Sequence, residues 1–352
     1  MKKSPLLRSL VLSLTLLTSV PSFAAVKKEF NVCWTIYAGW MPWGTLSTSK
    51  IIDKWADKYG IKINVVQLND YIESINQYTA GQFDGCTMTN MDALTIPAAG
   101  GVDTTALILG SYSEGNDGVV MKGEGKTLND LKGMKVYLPE LSVSHYLLVR
   151  GLEKAGLQEK DVKVVNTSDA DIVSAFGTSG VRAAVAWNPQ LSVIKKTPQT
   201  SEVFSSSQVP GELIDMMVVN TQTLKDNPAL GKALTGAWFE MMAKMKAGDT
   251  QALSAMAADS GTDLAGYQAQ LKTTHLFWTP ADTLAFISSP DLAKTMQRVA
   301  QFSFDKGLLG EGAQSADFIG MTFPGNVTLG DAANRKLRFD DSYLKLAAAG
   351  QL

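Results

Sequence analysis

Histidine and cysteine are scarce, with two of each in 352 residues. Neither Cys33 nor Cys86 has a second Cys or His at ligand spacing, so no metal site is expected. Acid–base and nucleophilic catalysis lack their usual parts as well. His145 lies in "SVSHYLL" beside Ser142 and Ser144, but adjacent positions do not build a nucleophile–base pair, and a bond from its ring to backbone is the expected role. His275, in "TTHLFWTP", reads as structural. "GEGKT" at 123–127 fails as a phosphate loop, because the position that requires its first glycine holds Val120. No cofactor site is expected, and the chain reads as a non-enzyme.

Basic blocks are missing too. Thirty-two Lys+Arg stand against 34 Asp+Glu, which gives no electrostatic footprint for nucleic acid. Long hydrophobic runs are absent except at the start. There Lys2, Lys3 and Arg8 precede "LVLSLTLLTSV", too short to span a bilayer, and Ser22 and Ala24 stand at the −3 and −1 positions of a cleavage site. Residues 1–24 are therefore expected to be a signal peptide cut after Ala24, leaving an exported, periplasmic chain with no cysteine for a lipid anchor. The cut removes three of the cations, leaving 29 against 34 acids. About 328 residues remain, enough for two domains that each bury a core. Export permits a Cys33–Cys86 disulfide, and two buried thiols fit the same apolar surroundings.

What is present alternates between strand and helix. "FNVCWTI", "IKINVVQ", "FDGCTM" and "TTALILG" read as strands, separated by helical runs at 51–59 and 71–80 and by "NMDALTIPAAGG", a short helix broken at Pro97. Asp70 opens "DYIE", a capping-box spacing. A second unit begins near residue 119 with "TLNDLKGMKVYLP", the helix of "LSVSHYLLVRGLEKAGL", then "VKVVNT" and "VRAAVAW". Uninterrupted apolar strands alternating with helices predict a parallel sheet covered on both faces. After "LIDMMVVN" the chain turns Ala-, Met- and Leu-rich and mainly helical from 221 to 315. No linker separates the units, so the chain is expected to cross near Gly118 and return near Met216. That division places 25–118 with 216–352 in one lobe and 119–215 in the other.

"FDGCTMTNMDAL", "TLNDLKGMKVYLP" followed by "SHYLL", and "AAVAWNPQL" resemble the solute-binding proteins of ABC importers, in the branch of nitrate, taurine, aliphatic-sulfonate and thiamine-precursor binders. "CWTIYAGWMPWG" with "GQFDGCTMTNMDAL" is similar to a subgroup of urea-type binders associated with urea- or guanidine-carboxylase systems. The resemblance implies an α/β, type II periplasmic-binding-protein fold of two lobes with a helical C-terminal extension. It also implies a ligand cleft, monomeric action and delivery of a small solute to an ABC permease. Urea or guanidine is the expected cargo. An aliphatic sulfonate, taurine or nitrate is the alternative, and a thiamine-precursor enzyme a more distant one.

Ligands of open sheets bind beyond the carboxyl ends of strands. The stretches that reach such ends, 31–49, 83–120, 136–149 and 183–194, contain no Lys or Arg, while they hold Asp84, Asp92, Asp103, Glu114, Asp117 and Glu140. A site with carboxylates and no cation suits a neutral or cationic solute. The tryptophan-rich loop read in "WTIYAGWMPWG" would supply indole faces for it, since Gly and Pro keep those rings off a regular element. Trp34 fits a buried strand. The expected ligand residues are Trp40, Trp43, Asn90, Asp92, Glu140, Trp187, Asn188 and Asp215.

Overall fold

A computed structural model describes residues 27–352, so the expected signal peptide and its cleavage site lie outside the described residues. The chain forms a mixed α/β structure with two sheets. Its strands are β1 (Glu29–Thr35), β2 (Lys62–Leu68), β3 (Gly85–Thr89), β4 (Thr104–Ser113), β5 (Asp117–Lys122), β6 (Lys135–Leu138) and β7 (Lys163–Asn166). They continue with β8 (Ala183–Trp187), β9 (Thr200–Ser205), β10 (Ile214–Asn220), β11 (Thr274–Leu276), β12 (Gly320–Phe323), β13 (Val327–Leu329) and β14 (Arg335–Phe339).

The larger sheet runs β13-β12-β14-β4-β10-β3-β1-β2, with β11 added on β4; the smaller runs β7-β6-β8-β5-β9. The chain leaves the larger sheet after Ser113, enters the smaller at Asp117, and returns through 206–213 into β10. β10 lies antiparallel between β3 and β4, so the larger sheet is mixed, where uniform apolar strands had predicted parallel pairing. Apolar runs report only that both faces are covered; strand direction is set by the connections. β3 and β8 are buried at every position, the pattern of such central strands.

β1 and β3 pair in parallel with Cys33 opposite Cys86, and the two form a disulfide. Helices Ile51–Lys58 and Pro228–Lys246 cover the same sheet. The C-terminal region contains the expected helices, but β12 and β14 also extend the larger sheet, and "GMTF" and "RKLRF" are too short to announce strands by periodicity.

The opening aromatic stretch is the main local correction. Met41–Thr48 is a helix with Trp40 as its cap residue and Pro42 in its first turn, where a missing N–H costs nothing. Gly44 interrupts nothing. A Cβ there would stand 2.6 Å from Cζ2 of Trp34, so the glycine admits an indole against the helix. Trp34, Trp40 and Trp43 are 3%, 4% and 1% exposed, so all three rings are hidden after all. Among the described residues no helix is long and apolar enough to cross a membrane.

Candidate functional site

The carboxyl ends of β1, β3 and β4, the start of β10, and the facing ends of β5 and β8 enclose a cavity between the two sheets. Tyr37, Trp40, Tyr71, Thr89, Asp117, Val143, Trp187, Leu213 and Asp215 line it. The space between the lining atoms and at its opening is about 280 Å³, and its free centre admits about one water-sized sphere.

Four rings form a continuous wall. Tyr37 meets Trp40 edge-on at 5.0 Å between centroids, Trp40 meets Tyr71 at 5.6 Å, and Tyr71 meets Trp187 edge-on at 5.5 Å. Trp187 comes from β8 and the other three from segments of the larger sheet, so the wall spans the gap. Three further contacts close it: the Trp187 Nε1–H faces the Ile36 carbonyl at 3.4 Å, the Ala38 N–H donates to the Asn188 carbonyl, and the Tyr71 N–H donates to Asp169 Oδ1.

Three buried carboxylates complete the site, each fixed by hydroxyls. Asp215 Oδ2 accepts from the Tyr37 hydroxyl at 2.9 Å and from Ser111 at 2.6 Å. Asp92 Oδ2 accepts from Tyr71 at 2.6 Å and Thr89 at 2.8 Å, and Asp117 Oδ2 accepts from Ser113 at 2.5 Å. Burial disfavours the charged form of each. It pushes Asp92 up to about 6 and Asp117 up to about 7, with the charge of Asp92 adding to the rise at Asp117. Asp215 is raised well above the ordinary carboxylate range by burial, with a further push from Asp117. No Lys, Arg or His belongs to the lining. At the cavity the buried Trp40 Nε1–H has no partner, and the Val143 N–H faces Asp92. Among the described residues no group of three or more His, Cys, Asp or Glu side chains could hold a metal ion.

The structure brings Trp40, Trp187 and Asp215 to the cavity wall, with Asp92 behind it on Tyr71 and Thr89. It does not bring the other expected residues there. Trp43 stacks on Trp238 at 5.0 Å in the core, because its place inside the helix turns it away from the gap. Asn90 is spent on the returning chain: its Oδ1 accepts from the Ile214 N–H and its Nδ2 donates to the Glu212 carbonyl, while Thr89 is the residue that caps the helix. Asn188 has its Oδ1 occupied by the N–H and hydroxyl of Ser192. Glu140 is exposed, beyond the mouth.

Tyr37, Tyr71 and Asp117 were not singled out from sequence. Asp117 already counted among the acids of the cation-free stretches. Tyr37 lies inside the quoted aromatic run, and Tyr71 follows β2, so the strand-end rule extended to that loop finds it. The histidines stand apart. His145 Nδ1 accepts from the Leu141 N–H, and burial holds its ring at about 4; His275 stacks on Tyr112 at 4.4 Å.

A family model described as "NMT1/THI5 like" matches residues 57–247, more than half of the chain. The chain belongs to the NMT1/THI5-like family. Among curated relatives of this family member, a Brucella abortus binding protein is 30% identical over 156 residues, covering 44% of the chain and 47% of the relative. The taurine-binding periplasmic protein of Escherichia coli is 24% identical over 144 residues, covering 40% and 44%. The chain thus spans about half the length of the curated relatives it matches. In fold it is similar to the alkanesulfonate-binding protein of Xanthomonas axonopodis, solved with MOPS, at TM-score 0.67 and 16% identity, over 82% of this chain and 96% of that one. The nitrate-binding protein of Synechocystis aligns at TM-score 0.56 and 11% identity, over 91% and 98%. The periplasmic-binding-protein fold expected from the resemblance is therefore present. Of these four names one gives taurine, one an alkanesulfonate and one nitrate as the solute, and none of the four gives urea or guanidine.

Proposed function

We propose that this family member is the periplasmic solute receptor of an ABC importer, and that its cargo is a small nitrogen-bearing cation of which guanidinium is the type. The observation that carries the cargo is electrical. A buried cavity lined by two carboxylates with a third directly behind its wall, faced by four aromatic rings and by no cationic side chain, favours positive charge over an anion. A planar cation stacks on an indole face, gaining roughly 0.5 to 2 kcal/mol there, while its N–H groups reach the carboxylate oxygens left free by the hydroxyls. Urea matches the shape and lacks the charge.

Transport rests on kinship and architecture. The two sheets mark two lobes that divide where the chain crosses, between Ser113 and Asp117 and again through 206–213, a few residues before the Gly118 and Met216 expected from sequence, and the ligand favours the closed arrangement because it touches both. The cargo is presented to the permease by a single chain, exported by its first 24 residues, and recovered unchanged.

The names of the relatives favour a second reading, a receptor for an aliphatic sulfonate, taurine or nitrate. In that reading helix N-termini and backbone amides would have to hold the anion against three acids. Thermal-shift titration with guanidinium, methylammonium, urea, taurine, ethanesulfonate and nitrate separates the two. Stabilisation by the cations supports the cationic cargo; stabilisation by the anions alone removes it.

A further inference from the structure

The cavity holds more negative charge than a single cation can balance, a mismatch that gains meaning only if the cargo is cationic. Asp117 and Asp215 reach it from the start of β5 and the start of β10, and Asp92, on the short helix after β3, stands directly behind its wall on Tyr71 and Thr89. The groups facing them are neutral donors: the phenols of Tyr37 and Tyr71 and the hydroxyls of Ser111, Ser113 and Thr89. Asp169, the next carboxylate, accepts the Tyr71 N–H, and Arg150 and Arg298, which reach the returning chain, are held by Glu212. Three ionised carboxylates cannot share a dry cavity without counter-charge.

The acids alone would not define a binding site. The aromatic wall is independent of them, and so is a polar atom more than nine-tenths buried that lacks a partner, the Nε1–H of Trp40, whose ring lines the cavity.

We propose that the empty site keeps protons on these carboxylates and that an entering cation displaces one of them to solvent, so that capture is a cation-for-proton exchange. Charge balances: one positive charge enters and one leaves, and no bond other than O–H is broken. A neutral solute drives no such exchange, which separates guanidinium from urea although their outlines match. The direction of the titrations agrees, because burial holds Asp92 at about 6 and Asp117 at about 7, so protons are there to be displaced near neutrality.

Calorimetry tests the exchange on the mature chain. Guanidinium chloride is titrated at about pH 6.5 in phosphate and in ACES, whose ionisation heats differ, and the difference in binding heat counts protons. The expected release is about 0.5 to 1 proton per guanidinium, with Kd weakening about 10- to 100-fold from about pH 7.5 to about pH 5.5. Urea, where it binds, should release none. Asp117→Asn should flatten the guanidinium profile, and the wild-type counts stand even where that variant folds poorly. Guanidinium bound with fewer than about 0.2 protons released across this range overturns the exchange and leaves the cationic cargo standing. Failure of both guanidinium and methylammonium to bind overturns the cargo reading and the exchange with it.

Discussion

Asp215→Asn isolates the charge of the site from its shape. Asp215 is 4% exposed, and its Oδ2 receives two hydroxyl protons, from Tyr37 and Ser111. An asparagine Oδ1 accepts the same two bonds, and the amide Nδ2 takes the position of the other carboxylate oxygen. The fold keeps its hydrogen bonds and loses a group whose ionisation burial opposes. The free protein should therefore melt at the same temperature or slightly higher. Binding responds differently. A cation about 4 Å from Asp215 gains about 4 kcal/mol at an effective dielectric constant of about 20 once the carboxyl ionises, and part of that gain goes to removing its proton against burial. Asp117 is close enough to raise Asp215, and it takes up part of the lost charge. The expected net loss is about 2 to 3 kcal/mol, or about 30- to 150-fold in guanidinium affinity by calorimetry. Affinity within about threefold of wild type, with the melting temperature preserved, would refute the electrostatic reasoning.

The same geometry sets four further outcomes. The carboxylates of Asp92, Asp117 and Asp215 all titrate higher in the folded chain than in the unfolded one, so the folded state holds more protons between about pH 4 and about pH 7. The ligand-free protein should lose stability as pH rises through that window, and guanidinium should restore it above about pH 7; a melting temperature that climbs steadily over the window contradicts the assignment. Trp43→Ala opens a cavity in the core against Trp238 and should cost about 3 to 5 kcal/mol in denaturant unfolding, while the folded fraction keeps its affinity. Trp40→Ala should weaken cation binding about tenfold or more, and equal affinity would take Trp40 out of the site. The Cys33–Cys86 bridge closes a loop of sequence separation 53, worth about 4 kcal/mol, so Cys33→Ser with Cys86→Ser should lower the denaturation midpoint, and denatured, unreduced wild-type protein should show no free thiol.

How much of the fold was legible in the sequence depends on how local each signal is. The capping role of Asp70 was legible because a cap and its target are three residues apart; its Oδ1 accepts from the Glu73 N–H. Strands such as "FDGCTM" and "VRAAVAW" were legible because a run of apolar side chains can be buried in few ways. Pro42 and Gly44 misled, because the same two residues break a helix interior and equally open a helix or admit a packed indole. Only the neighbours decide between those uses.

The sequence by itself determined what the cavity does not contain. A stretch without Lys or Arg cannot supply a cation however it folds, and 31–49, 83–120, 136–149 and 183–194 all lack one, which left the carboxylates without cationic partners from those stretches. Tertiary structure decided which acids meet. Asp92, Asp117 and Asp215 converge because β10 returns antiparallel between β3 and β4 while β5 opens the second sheet opposite, and Glu140, with the same charge at a similar strand end, is left in solvent. Charge is a property of residues; the repulsion that raises buried acids depends on distance and solvent exclusion, and both arise only when remote segments are packed together.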